Sequence, residues 1–128
     1  MNMATNTPLT DEQSTEAAIQ RAGKTAPRVT LMDIEAVVTS EFYFTASDGV
    51  FGASNYRPIS DRSGVALGLL TFCVLVLRNG FTVTGESACA SPENFDAQIG
   101  CDIARKNARE KVWALEGYLL KQRLHVVE

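Results

Sequence analysis

The stretch "LLTFCVLVLRNGFTVTG", Leu69 to Gly85, constrains the fold more than any other part of this chain. It is a β-prone run, an Asn-Gly pair and a second β-prone run, the strongest short-range signal for an antiparallel hairpin. A two-residue type I′ turn at Asn79-Gly80 pairs Arg78 with Phe81, Val76 with Val83 and Leu75 with Thr84. Side chains alternate along a strand. One face of the sheet then carries Phe72, Val74, Val76, Phe81 and Val83, and the other carries Cys73, Leu75 and Leu77 beside Thr82 and Thr84. Both faces of the first strand are apolar, yet one layer of helices covers only one face of a sheet. In a chain of 128 residues, long enough for one domain, a second copy is the economical cover. The plainer alternative is that the N-terminal arm or a long loop folds over the second face.

Flanking signals fill in the rest. Residues 1–28 are rich in Thr, Ala, Asn and Gln, with too few apolar residues for a core, and read as a flexible arm. Within it, Thr10 and Gln13 have the spacing of a capping box, for a short helix closing at Gly23. Thr30 and Asp33 repeat that spacing ahead of Leu31, Ile34, Val37 and Val38, which predicts a helix ending near Ser40. "EFYFTA" follows as a first strand. The glycine-rich segment 47–68 reads as a long loop. Ser91-Pro92 reads as the start of a helix with two apolar stripes. Phe95, Ile99, Ile103 and Trp113 form one stripe. Ala97, Cys101, Ala104, Ala108, Val112, Leu115 and Leu119 form the other. A helix apolar on two sides is buried on two sides, which again favours an oligomer, or a helical hairpin broken near Gly117. The expected fold is α+β: an N-terminal helix, a small antiparallel sheet with an Asn-Gly hairpin, and a C-terminal helix or helical hairpin. The boundaries are an arm at 1–28 and a single domain at 29–128.

Chemistry-bearing motifs are sparse. "GESAC" (Gly85 to Cys89) resembles a nucleophile elbow but carries Cys89 where the second glycine belongs, and a nucleophile at Ser87 or Cys89 needs a base within reach. The one histidine, His125, is the fourth residue from the end. Cys73, Cys89 and Cys101 have no zinc-site spacing and read as reduced thiols of a cytosolic protein. Glu35 and Glu41, and Glu93 and Asp96, are most simply capping and solvated charges. No catalytic residue, metal site or cofactor is expected. No signal peptide is expected either, and the longest apolar stretch, Val65 to Leu77, is too short for a membrane helix.

Charge is uneven. Residues 1–41 hold six acids and three bases, whereas residues 105–123 hold six bases and two acids. The local excess suits a phosphate-bearing ligand and is too slight for bulk nucleic acid. Arg105 and Arg109, spaced i, i+4, can form a clamp whose guanidinium forks bond two oxygens at once. Tyr56 and Arg57 in the loop can add an aromatic and a base to that grip. The plainer reading makes the arginines a solvated face paired with Asp102 and Glu116.

The motifs "NGFTVTGESAC", "PENFD" and "KVWALEGYLL" resemble a family of small proteins spread across tailed phages and prophages, typified by a coliphage early-region protein, from about Val29 to Leu124. "EFYFTASDGVFGAS" is similar to the family's version with a long loop. Cys101 stands where the family has a basic residue, and Ala114 where it has a proline. The family brings no catalytic residues to carry over. At fold level the C-terminal helix is also similar to phage sponge proteins, oligomers that hold cyclic-nucleotide or cyclic ADP-ribose immune signals without cleaving them. The resemblance implies a non-enzymatic, cytoplasmic anti-defence protein of infected or lysogenic bacteria, whose partners are itself and a small anionic nucleotide. The alternative is a module that binds a host or phage protein through an apolar sheet face.

Overall fold

The computed structural model describes residues 10–55 and 60–127. Its helices are α1 (Asp11–Arg21), α2 (Leu31–Val37), α3 (Ala46–Ala53), α4 (Asp61–Gly68) and α5 (Ala97–Val127), and its strands are β1 (Val38–Thr45), β2 (Leu70–Leu77) and β3 (Thr82–Ala88). The strands form one antiparallel sheet in the order β1-β2-β3. The architecture is α+β, as the sequence pattern requires.

The hairpin forms one residue out of the expected register. Leu75 faces Val83 and Val74 faces Thr84, because the turn is not type I′. Only Gly80 adopts a positive φ (89°), while Asn79 stays right-handed and accepts a hydrogen bond from the Phe81 amide at 2.9 Å. The Gly80 amide donates to Leu77 O and the Leu77 amide to Phe81 O, each at 2.8 Å. This is a three-residue loop, a type I turn closed by a left-handed glycine. A slip of one residue exchanges the faces of a strand. Val83 therefore joins Cys73, Leu75 and Leu77 in the core, while Phe72, Val74 and Val76 share the other face with Thr82 and Thr84. Gly80→Ala should lower stability by about 1–2 kcal/mol, the cost of a left-handed alanine, read from the midpoint of a urea melt.

α5 covers the core face. Ala104, Ala108 and Val112 are fully buried against Cys73, Leu75 and Val83, with Ile34 and Val37 of α2 closing one side. The small side chains matter because β3 comes very close. A Cβ added to Gly85 would sit 2.2 Å from Ala104 O and 2.3 Å from the Ala108 amide nitrogen. The glycine of the elbow-like motif is thus the seat of the helix. Ser87 lies inside β3, opposite Thr71, and the Cys89 Sγ donates to Ser91 O at 3.2 Å.

Several expected boundaries move. Ser91-Pro92 nucleates only a 3-10 turn over Pro92–Asn94. α5 starts later, where the Asp96 carboxylate accepts from the Ile99 amide at 3.0 Å. The helix runs unbroken through Gly117, where alanine rather than proline at position 114 leaves every backbone donor of that turn in place. Segment 47–68 is not one long loop. Thr45 and Asp48 form a capping box that starts α3 despite its glycines, and α4 leads into β2. The two boxes expected at Thr10–Gln13 and Thr30–Asp33 are both present.

Two apolar surfaces stay open among the described residues. On the sheet face away from α5, Phe42 is 57% and Phe44 38% exposed, beside half-buried Phe72, Val74 and Val76. On α5, Ile99 and Ile103 are exposed, and of its apolar side chains only Ala104, Ala108 and Val112 are buried, with Trp113 partly buried against the same core. A 31-residue helix is about 46 Å long, whereas an eight-residue strand spans about 26 Å. The C-terminal end of α5 consequently outruns the sheet, and none of residues 113–125 is buried.

Candidate functional site: the arginine pair of α5

Arg105 and Arg109 follow the small-residue stripe of α5 and lean to the side where α1 and β1 bring acids. They are not a solvated face with Asp102 and Glu116 as partners. The Arg105 Nε donates to Glu41 of β1 at 3.0 Å. The Arg109 side chain is only 2% exposed. Its Nε donates to both oxygens of Glu12, at 2.8 and 3.1 Å, and its Nη2 to Glu35 at 3.2 Å. Nη1 is buried with no hydrogen-bond partner among the described residues. A buried guanidinium nitrogen without an acceptor loses its hydration for no return.

The acids are fixed in turn. Glu41 Oε1 also accepts from the Tyr43 hydroxyl at 2.7 Å. Burial pushes the Glu41 carboxyl up, but the hydrogen bonds from Tyr43 and Arg105 and the charges of Arg105 and Arg109 outweigh it, leaving Glu41 below the usual carboxylate range. Burial, then the bond to Glu41, pushes the Tyr43 phenol well above its ordinary value. Glu12, besides holding Arg109, accepts from the indole Nε1 of Trp113. Lys106 pairs with Asp11 at 2.8 Å, both side chains largely exposed.

α1 is thus attached by charge, and it buries no residue. Its other anchor is Glu16, which takes both forks of Arg28 at 2.9 and 2.6 Å and the Leu31 amide at 3.2 Å, so that it also caps α2. Arg28 and those further donors hold the Glu16 carboxyl down at about 2. A depressed carboxylate contributes stability that is complete above its unfolded pKa, near 4.3, and lost as pH falls through the folded value. The α1–α2 clamp should therefore persist at pH 5 and dissolve between pH 4.5 and 2. A carbon-detected NMR titration of Glu16 with an ordinary midpoint near 4.3 would contradict this.

Between α1 and α5 lies a cavity of about 540 Å³, walled by Thr15, Glu16 and Ile19 on one side and Asp102, Arg105, Arg109 and Trp113 on the other. Its size suits a small ligand. Tyr56 and Arg57, expected to close over the arginines, lie outside the described residues. The acids that hold the pair, Glu12, Glu35 and Glu41, were not singled out as partners by sequence. They stand 97, 74 and 64 residues away from their arginines, and only the acidic excess of residues 1–41 hinted at them. No group of three or more metal-ligating side chains occurs among the described residues, and no helix there is long and apolar enough to cross a membrane.

The sequence model of the phage protein (N4 Gp49/phage Sf6 gene 66) family matches residues 29–124. The chain belongs to this family. The match takes in the whole sheet, α2 and all but the last residues of α5, hence both arginines and the Gly85 crossing, while α1 lies outside it. The resemblance carried by the Asn79-Gly80, Pro92–Asp96 and Trp113–Leu120 motifs is to the same group of phage proteins. No curated protein and no solved structure matches the chain.

Proposed function

We propose that this phage-family protein binds a small anionic signal, a cyclic nucleotide or cyclic ADP-ribose, and holds it without cleaving it, as an anti-defence sponge assembled from identical chains. The observation that carries the reading is Arg109: a guanidinium 2% exposed, with Nη1 unpartnered among the described residues, on the wall of a cavity of ligand size. Its end-on fork, Nη1 with Nη2, is half used, and a phosphoryl group has the oxygens to fill it. Arg105 is one helical turn away, and Tyr56 and Arg57 are proposed to add to the grip.

A second reading is a protein-interaction module, favoured by the open sheet face around Phe42 and Phe44, since contiguous apolar surface is commonly covered by a partner. Native mass spectrometry separates the two. Protein purified from cells that make these signals should carry a few hundred daltons of heat-releasable, unaltered nucleotide, and Arg105→Glu should arrive empty. Protein that is empty from every background would remove the sponge reading and leave the sheet face as the working surface.

A further inference from the structure

The cavity beside Arg109 has the wrong charge for the ligand just proposed, and α1 brings two of the acids that face its bases, Asp11 and Glu12. The charged residues walling it are three bases, Arg105, Lys106 and Arg109, against Asp11, Glu12, Glu16, Asp102 and Glu110. Glu16 is neutralised outside the cavity by the two-pronged bond to Arg28. Four acids then oppose three bases. Lifting Asp11 and Glu12 takes two of those acids away and frees Lys106 and the Arg109 Nε, while Glu41 and Glu35 keep their bonds to Arg105 and to the Arg109 Nη2.

We infer that the N-terminal end of α1 is an internal anionic latch: Asp11 and Glu12 occupy the cation row of α5, and a phosphorylated ligand takes that row by displacing them. This rests on the anion-binding reading of the α5 site. Two neighbouring carboxylates on one turn hold Lys106 at 2.8 Å and Arg109 at 2.8 Å, the places two phosphoryl groups would take. They satisfy the cations incompletely, since Arg109 Nη1 stays without a partner among the described residues. The helix that brings them is easily moved. It buries no side chain, and the Lys106–Asp11 bridge is exposed and screened by salt. The far half of α1 has its own tether, Glu16 to Arg28 and to the Leu31 amide. That tether acts as a hinge, so the first turn of α1 swings away while the helix stays attached. Ligand and latch are thermodynamically linked, each weakening the other.

The test uses the full chain, with inorganic pyrophosphate and cyclic ADP-ribose as probes. Trp113 is the only tryptophan, and its indole is bonded to Glu12, so its emission reports the latch. Glu12→Gln removes the charge yet keeps an oxygen for Arg109 and Trp113, and it should bind either probe about tenfold more tightly, the margin of a charge-assisted over a neutral bond. Binding to the wild-type chain should red-shift Trp113 and release amide-exchange protection in the first turn of α1, leaving Leu31–Val37 unchanged. Binding to Glu12→Gln alone would also support the latch, closed in the wild type. Wild-type binding with α1 protection unchanged, and no gain in Glu12→Gln, would overturn the latch while the anion site stands. Binding of neither probe to either protein would overturn both.

Discussion

Gly85→Ala should lose about 3 kcal/mol or more of stability, beyond the usual range for an added methyl in a packed core. The added Cβ meets Ala104 O at 2.2 Å and the Ala108 nitrogen at 2.3 Å. Both are helix backbone, so no rotamer change relieves the clash, and α5 must retreat as a body by about 1 Å. A gap of that size forfeits a quarter to a half of each dispersion contact along the interface, which here includes Leu75, Val83 and Val112. The melting temperature should fall by roughly 10 °C in a domain of this size. Gly117→Ala is the matched control. Nothing lies within 4 Å of its added Cβ and the backbone there is helical, so it should gain about 1 kcal/mol from helix propensity alone. Equal shifts for the two variants in thermal melts would mean that α5 does not rest on β3 at Gly85.

Arg109→Met should separate binding from folding. Removing one member of a buried ion pair is costly when the other is left stranded. Here the acids have an exit: Glu35 is 58% and Glu12 23% exposed, and α1 buries nothing that holds it down. Methionine also ends the burial of an unsatisfied Nη1. A net cost of about 1 kcal/mol or less is expected, with α1 losing its exchange protection and the sheet–α5 core intact. Anion affinity should fall by about 100-fold or more, as for loss of a buried, hydrogen-bonded charge at an interface. Isothermal titration with cyclic ADP-ribose beside a thermal melt reads both quantities. Unchanged affinity would remove Arg109 from the site.

The local parts of this molecule were legible because their causes are local. Thr10 with Gln13 and Thr30 with Asp33 cap helices through residues three apart, and β2 and β3 announce themselves by composition. The register escaped because it depends on the backbone of one residue. Asn79 tolerates both hands, and its right-handed choice moved Val83 from one face to the other. The Thr45–Asp48 box was masked by the glycines around it, although it has the same three-residue spacing. At the site, the i, i+4 arginines were visible, but their surroundings were not. The sheet topology brings Glu41 to Arg105, and a docked helix brings Glu12 to Arg109. Nearby Asp102 and Glu116 were the obvious partners by sequence, yet Asp102 instead accepts from Gln98 at 2.8 Å.

The bond between Glu12 and Arg109 closes a loop of 97 residues, most of the chain, whereas the hairpin closes across three. Closing a long loop costs more chain entropy than closing a short one, and topologies rich in such contacts assemble late. α1 has no buried apolar residue with which to recover that cost early. In refolding, the sheet and α5 should therefore form first, with α1 settling onto a domain already built. Circular dichroism should follow chiefly the first event and Trp113 emission, through its bond to Glu12, the second, so a stopped-flow trace should show two clocks and a single shared phase would contradict this order.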